Sequence, residues 1–186
     1  MEVTEFNPEV YFAKDKFVHI RTSDLDFLKQ AAERSPRCRA RVCAHKNPED
    51  RLHEMIVVAK NGIYFIPEKH IVKSESYHII EGSADVVVFD EAGSLVTVVQ
   101  LGTPLSGLPF YYRMFDHLYH TLIIRSPYLI YHETATGPFS KADTVIAPWA
   151  PAEGDLVGKK LFMENLETRV KDFLNHHEDQ NASNRR

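Results

Sequence analysis

The sequence predicts a mainly β protein, an antiparallel sandwich or barrel with an N-terminal helix and a C-terminal helix. Short runs rich in Val, Ile, Tyr and Phe recur about every ten residues between positions 37 and 149. Turn signals such as Asn61-Gly62 and Ser126-Pro127 separate these runs. Because no helical periodicity interrupts them, the pattern excludes the βαβ units of a parallel sheet.

The first element is a short helix, predicted from Ser23 to Glu33. Ser23 is a good N-cap, and Asp24 and Asp26 place negative charge in the first turn, where the helix dipole favours it. Pro36 marks the end of this element. Its apolar residues recur at helical spacing: Leu25, Leu28, Ala31 and Ala32.

The central region is predicted to form eight strands. They are Glu54–Ala59, Ile63–Ile66, Tyr77–Ile80, Val86–Phe89, Val96–Leu101, Phe110–Met114, Leu118–Ile124 and Tyr128–His132. After Pro148 and Pro151 the apolar period lengthens, and this predicts an amphipathic helix from Leu161 to about Asn175. The expected organisation is therefore an N-terminal helix with a swapped or edge strand (1–44), a barrel (45–151), and a C-terminal helix with a polar tail (152–186).

Composition and charge exclude several classes of partner. The net charge is −4, which argues against nucleic acid or an anionic membrane as a bulk electrostatic partner. No run approaches the roughly 18 apolar residues of a membrane span. Two cysteines, Cys38 and Cys43, are too few for a disulfide scaffold and are typical of a reducing compartment. The start of the chain has no signal-peptide pattern, so we expect a cytoplasmic protein.

Candidate metal-binding residues cluster around the second and third predicted strands. Glu68 and His70 are two residues apart, so on a strand their side chains leave the same face. Glu75 follows after a turn long enough to bring the next strand antiparallel. His120 lies on a later predicted strand, and the four side chains can converge inside a barrel.

This spacing resembles the first motif of the cupin superfamily, which is Gly, five residues, His-x-His, three or four residues, Glu, six residues, Gly. The sequence fits at Gly62, His70, Glu75 and Gly82, with Glu68 where the first histidine belongs. His120 occupies the place of the histidine in the second cupin motif. Phe115 and His117 stand where that motif usually has proline and glycine. The resemblance implies a cupin-type antiparallel jelly-roll barrel.

A narrower resemblance, over about residues 35 to 151, is to the WbuC-type cupin-fold metalloproteins. The stretches that carry it are Ser35-Pro36-Arg37, Cys43-Ala44-His45, Glu49-Asp50-Arg51, His53-Glu54-Met55, Lys73-Ser74-Glu75-Ser76, Phe110-Tyr111-Tyr112-Arg113, His132-Glu133-Thr134, Gly137-Pro138-Phe139 and Ala147-Pro148-Trp149-Ala150-Pro151. That family is associated with bacterial O-antigen gene clusters. The resemblance therefore implies a role in surface polysaccharide biosynthesis, near nucleotide-sugar chemistry, without supplying a reaction.

The donor set predicts which metal would bind. His70, Glu75 and His120 have the composition of a two-histidine, one-carboxylate triad, which is typical of Fe(II) sites. If Glu68 also binds, Mn or Fe is favoured, with Zn or Ni as alternatives. The competing interpretation is a decayed site in which Glu68 pairs with Lys69 or another base.

Other residues are candidates for contact with a substrate. Tyr77 shares the strand face of Glu75 and is the candidate catalytic residue, moving protons from the pocket wall. Arg113, Tyr112 and His132 flank the second motif and are the candidate substrate-binding residues. For each the alternative is a structural polar group, and Lys73, in a turn, is interpreted as a solvated charge.

Two polar clusters outside the motif leave alternatives open. Arg37, Arg39 and Arg41 form one basic face of an extended segment. They would either receive a phosphate or keep a solvated edge strand from aggregating. His45, His53 and Glu54 suggest either a second metal site or, more simply, loop-orienting hydrogen bonds.

Three functions remain open at this point. The leading one is a metal-dependent cupin acting on a sugar or related small metabolite, by isomerisation or oxygenation. The second is a metal-free sugar epimerase or isomerase that uses His120 with Glu75 or Tyr77. The third is a non-catalytic ligand-binding barrel. The resemblance also implies a homodimer that exchanges its N-terminal segment.

Overall fold

The computed structural model describes residues 1–183; residues 184–186, the end of the predicted polar tail, lie outside the described residues. The helices are α1 (Thr22–Arg34) and α2 (Leu156–Ser183), with a short 3-10 helix at Lys141–Asp143. The strands are β1 (Val3–Asn7), β2 (Val10–Ala13), β3 (Arg39–Cys43), β4 (Leu52–Lys60), β5 (Glu68–His70), β6 (Glu75–Glu81), β7 (Ala84–Phe89), β8 (Leu95–Leu101), β9 (Tyr111–Met114), β10 (Tyr119–Ile124), β11 (Tyr128–Thr136) and β12 (Thr144–Ile146).

Strands β4 to β11 form a jelly roll. One sheet has the order β4-β11-β6-β9 and the facing sheet has the order β5-β10-β7-β8, with every pair antiparallel. Numbered within this set, the two orders are 1-8-3-6 and 2-7-4-5, the double Greek key of a jelly roll. The predicted fold, a mainly β antiparallel jelly-roll barrel with a helix at each end, is confirmed.

Four further strands extend the two sheets. The β1–β2 hairpin joins β3 through a parallel β2–β3 pairing, and β3 pairs with β4, so the first sheet has seven strands. Strand β12 pairs with β5 and widens the second sheet to five. The arginine-bearing strand β3 therefore has a hydrogen-bonded neighbour on each side within this chain.

Each helix covers the outer face of one sheet. Helix α1 packs Leu28 and Ala32 against Val42 and Val58 of the first sheet. Helix α2 packs through its buried Leu166 and Val170 on the second sheet. Burying these apolar stripes fixes both helices on the barrel.

Helix α1 begins one residue earlier than predicted, and Ser23 is not its N-cap. The backbone N–H of Arg21 donates to the Asp24 carboxylate at 2.7 Å and closes the first turn. A side chain at the third helical position can thus satisfy a free backbone N–H at the start of the helix, as the hydroxyl of a serine N-cap does.

The predicted strand Ile63–Ile66 is not a strand. This segment makes isolated contacts, such as the Thr121 hydroxyl donating to the Phe65 carbonyl at 2.6 Å. Pro67 follows directly and has no N–H to donate to a ladder. Regular pairing starts only at Glu68.

The space between the sheets is apolar over most of its depth and polar at one end. Ile79, Val86, Leu101 and Leu129 belong to the buried core cluster between the sheets. The residues that end β5 and begin β6 and β10 lie at the polar end. Among the described residues, no helix is long and apolar enough to cross a membrane.

Candidate metal centre

Three side chains from three strands converge at the polar end of the barrel. His70 ends β5, Glu75 begins β6, and His120 is the second residue of β10. Each is 5–7% exposed, and one potential ligand atom from each lies within 4.8 Å of the other two. Because side chains alternate across a strand, the residue spacing places all three on the interior face.

The Glu75 carboxylate is the centre of this cluster. Its Oε1 accepts from the Tyr77 hydroxyl at 2.6 Å and lies 2.8 Å from His120 Nε2. Its Oε2 lies 3.2 Å from both His70 Nε2 and Lys73 Nζ. Burial opposes ionisation, but the hydrogen bonds from the two histidines and the charge of Lys73 hold the pKa of Glu75 well below its usual range.

His120 has a partner for each ring nitrogen. Its Nδ1 lies 3.2 Å from the Leu118 carbonyl, which can only accept, so Nδ1 carries a proton. Its Nε2 faces Glu75. Burial lowers the pKa of His120, but the hydrogen bond to Glu75 outweighs it and raises the pKa above the ordinary value. A proton must therefore leave Nε2 before this nitrogen can act as a metal ligand.

The surroundings of both histidines fit a metal site. His70 Nδ1 lies 3.2 Å from the Thr144 hydroxyl, as His120 Nδ1 lies against Leu118. Metal-binding histidines commonly hold their other ring nitrogen in this way, and the Nε2 atoms are left facing one carboxylate. Two imidazoles and one carboxylate, all buried, make a donor set suited to a divalent transition metal.

Glu68 lies beside the three residues. It is the register partner of His120, and its Oε1 is 4.0 Å from His70 Nε2. Partial burial, with the nearby Glu75 charge, raises the pKa of Glu68 although both histidines act against this. Lys69 points to the other face of β5 and pairs with Glu91. The pairing of Glu68 with Lys69 that the sequence left open is not made.

Lys73 is mostly buried, not solvated as the sequence suggested. Its side chain is 22% exposed, and Nζ lies 3.2 Å from Glu75 and 3.5 Å from Glu133. Burial alone would lower the pKa of Lys73, but the carboxylates of Glu133 and Glu75 raise it. The burial of Lys73 could not be predicted, because residue spacing along the sequence does not show that this turn lies over the mouth of the barrel.

Two tyrosines line the interior next to the cluster. Tyr77 and Tyr112 are register partners on β6 and β9, and their ring centroids are 5.8 Å apart. Burial, with the Glu75 charge, raises the pKa of Tyr77 well above its usual range, so its hydroxyl keeps the proton that it donates to Glu75. The Tyr112 hydroxyl is buried and has no hydrogen-bond partner in the part of the chain that the structure describes. Such a group is suited to receive a polar group of a ligand.

Arg113 and His132 lie outside the barrel, away from this cluster. Arg113 follows Tyr112 and therefore points to the opposite face, where it donates to Ser74 Oγ at 3.2 Å and covers the Phe115 ring. His132 lies on the outer face of β11 and pairs with Glu54. The structure brings together Tyr77, Tyr112 and the four predicted metal residues, but not these two.

His45 and His53 do not form a second metal site. Their rings are stacked 4.1 Å apart and nearly parallel, so their lone pairs cannot converge on one ion. His45 Nδ1 lies 3.1 Å from the Glu54 carbonyl, and His53 Nε2 lies 3.2 Å from the Pro48 carbonyl. The loop-orienting interpretation describes these contacts.

Comparison with known proteins adds a partial family match and distant structural likeness. A domain of unknown function (DUF6016) matches residues 20–101, a stretch that contains Glu68, His70 and Glu75 and ends before His120. No curated protein is significantly similar to the chain.

Several solved structures are similar to this chain at low identity. Protein SO0799 from Shewanella oneidensis is 13% identical, with a TM-score of 0.46 over 55% of this chain and 66% of that one. Oxalate decarboxylase from Bacillus subtilis is 20% identical, with a TM-score of 0.45 over 58% of this chain and 27% of that one. Procruciferin, an 11S globulin from Brassica napus, is 14% identical, with a TM-score of 0.42 over 52% of this chain and 23% of that one. These likenesses assign no activity to this chain, and the jelly-roll assignment stands on its strand order.

Proposed function

We propose that this protein binds a divalent metal ion through His70, Glu75 and His120, and acts with it on a sugar or related small metabolite. The observation that carries the proposal is the convergence of two imidazole Nε2 atoms on one buried carboxylate, with the Nδ1 atom of each ring held by Thr144 or Leu118. Fe or Mn is the favoured ion, and Zn or Ni is the alternative. Glu68 lies where it would add a second carboxylate.

The residues around the proposed metal ligands have separate roles at the site. A bound divalent ion would polarise a carbonyl or hydroxyl oxygen of the substrate. Tyr77 holds the orientation of Glu75 through its hydroxyl and is a proton donor rather than a base. Tyr112 offers a buried hydroxyl to the substrate, and Lys73 pairs with both Glu75 and Glu133.

Thermal unfolding with added Mn(II), Fe(II), Zn(II) or Ni(II) tests the metal proposal. A metal that binds only the folded chain stabilises it by about 2.7 kcal/mol at a concentration of 100 times the Kd. We expect a rise in the unfolding temperature of the unmodified protein that is absent in His120→Gln. His78→Gln is the matched control, because His78 is exposed on the outer face of β6. Equal stabilisation of both variants would contradict the assigned ligands.

A second candidate function needs no metal. The Glu75 oxygens already face four protein donors, from His70, Lys73, Tyr77 and His120. Such a network suits acid–base chemistry on a sugar, as in an epimerase or isomerase, with His120 and Glu75 exchanging a proton. Activity that survives exhaustive chelation would favour this candidate over the metal-dependent one.

The resemblance to WbuC-type proteins supports a narrower proposal. In it, the protein works in the cytoplasm of a bacterium on a sugar intermediate of surface polysaccharide (O-antigen) biosynthesis, such as a nucleotide sugar. We also propose a homodimer, with the segment before β3 as the exchanged piece. Sedimentation analysis tests the dimer, and a monomer at micromolar concentration would contradict it.

A further inference from the structure

Arg41 points into the barrel, on the same side of the first sheet as the metal centre. It lies on β3, in register with Val57 of β4, whose side chain belongs to the core between the sheets. Its chain neighbours Ala40 and Val42 face the opposite way and pack under α1. Strand alternation therefore directs the Arg41 side chain inward.

Arg41 differs from the two other arginines of the same segment. Arg37 and Arg39 both pair with Glu9. Among residues 1–177, Arg41 has no carboxylate within 4.0 Å, and its Nε is buried without a hydrogen-bond acceptor. A buried guanidinium N–H with no acceptor is costly, so its persistence at this position calls for an acceptor from elsewhere.

The charge of Arg41 acts on two buried residues of the barrel interior, Cys43 and Tyr131. Burial raises the pKa of the Cys43 thiol to about 11, and the Arg41 charge acts in the opposite direction. Burial likewise raises the pKa of Tyr131 well above its usual range, with the charges of Arg39 and Arg41 both opposing it. Glu133, the acidic residue of β11, is paired with Lys73.

A second buried polar group without a partner lies on the same inner face of the first sheet. The Tyr112 hydroxyl has no hydrogen-bond partner, and Tyr112 is 9% exposed. Tyr131 lies between the two positions: its ring centroid is 5.1 Å from that of Tyr77, which in turn stacks on Tyr112. Arg41 Nε and the Tyr112 hydroxyl, each without a partner among the described residues, therefore lie on one inner face, with Tyr131 and Tyr77 on the strands between them.

We propose that Arg41 binds the anionic group, a phosphate or a carboxylate, of a small ligand whose remaining part lies toward Tyr112 and the metal centre. This rests on the proposed function, and it narrows the substrate class to acidic or phosphorylated sugars and similar metabolites. The planar guanidinium matches both anions, because each presents paired oxygens to its N–H groups.

Calorimetric titration of the full chain tests this assignment. The probes are inorganic phosphate, glucose 6-phosphate, glucuronate and uncharged glucose, which separate a phosphate preference from a carboxylate preference. The variants are Arg41→Gln and Arg41→Lys, with Arg37→Gln as the matched control on the same segment. Because Arg41 Nε makes no bond within the protein, Arg41→Gln is expected to fold normally, and its unfolding temperature verifies this.

We expect at least one anionic probe to bind more tightly than glucose and to lose about 10- to 100-fold in affinity in Arg41→Gln, the loss of one charge-assisted contact. Arg37→Gln should bind as the unmodified protein does, and Arg41→Lys should keep part of the affinity. Anion affinities that are the same in Arg41→Gln, or no anionic probe bound better than glucose, would overturn the assignment.

The metal content of each sample separates this inference from the proposed function. Phosphate binding that depends on Arg41 in a metal-free His120→Gln sample supports the anion subsite on its own. A metal-loaded unmodified protein without Arg41-dependent binding overturns only the anion subsite. Arg41-dependent binding in unmodified protein that takes up no metal keeps the subsite and removes the metal proposal.

Discussion

At the level of single residues, His70 and His120 hold their Nδ1 atoms against Thr144 and Leu118 and turn their Nε2 atoms toward Glu75. One supporting partner is a side chain and the other is a backbone carbonyl. Only the Thr144 hydroxyl can be removed by substitution without changing a metal-ligand residue. Thr144 therefore allows a direct test of how much the orientation of His70 contributes to metal affinity.

Thr144→Val should weaken metal binding while keeping the fold. Removing the group that holds a metal-binding histidine typically costs about 10- to 100-fold in affinity. Competition titration with a chelator dye measures this loss. Thr97→Val on β8 is the matched control, and an equal effect of the two substitutions would contradict a role for Thr144 in orienting His70.

Neighbouring residues show what the sequence could and could not predict about the site. The spacing of His70 and Glu75 placed both on one face because that inference needs only strand alternation within a short segment. Tyr112, Arg113 and His132 were assigned from their position along the chain. Whether such residues face inward depends on strand register, and a shift of one residue reverses the face.

At the level of elements, the turn between β6 and β7 illustrates why the motif ends in glycine. Gly82 has a φ of +85°, and a Cβ there would overlap Ser126 Oγ and the Tyr128 carbonyl. Gly62 has the same φ of +85°, but nothing lies within 4 Å of the space that its Cβ would occupy. The two positions therefore share the backbone cost of an added side chain and differ only in crowding.

Gly82→Ala should destabilise the protein more than Gly62→Ala does. The left-handed backbone costs an alanine about 1–2 kcal/mol at either position, and overlap with β11 adds about 1–3 kcal/mol at Gly82. Urea denaturation measures both free energies of unfolding. Equal losses of unfolding free energy in the two variants would contradict this expectation and would mean that the β6–β7 turn shifts to make room for the added methyl group.

The elements that the sequence missed have a common physical reason. Strands β1, β2 and β12 are short: β2 and β12 pair with strands distant in the chain, and β1 is held by its hairpin with β2. Such tertiary pairing leaves little local signal, whereas the long apolar strands of the barrel carry a periodic one. The segment Ile63–Ile66 shows the reverse error, since β-forming residues there lie next to Pro67 and find no ladder.

At the scale of the whole molecule, the stacked His45–His53 pair links the stability of the barrel to pH. Burial lowers the pKa of His45, and His53 adds to this effect. The folded chain therefore holds fewer protons on His45 than the unfolded chain does near the ordinary value of about 6.5. The stability that this residue contributes is present above that value and is lost as the pH falls below it.

The unmodified protein should accordingly lose more unfolding free energy between about pH 7.5 and about pH 5.5 than His45→Asn does. The asparagine can still accept from the Glu54 N–H, as His45 Nδ1 does. His19→Asn, at an exposed position, serves as the control. Denaturant titration at the two pH values gives the comparison, and a steeper pH dependence in His45→Asn would reverse the assigned sign.

The barrel as a whole encloses buried charged groups. The free-energy cost of removing these groups from water is offset only where each has a suitable partner. Elemental analysis of protein purified without a polyhistidine tag, beside His120→Gln and His78→Gln, asks directly whether a metal ion is one of these partners. We expect about one Fe, Mn, Zn or Ni ion per chain in the unmodified protein and in His78→Gln, and none in His120→Gln. Unmodified protein that contains no metal, and takes up none from added Fe(II) or Mn(II), would contradict the proposed metal site.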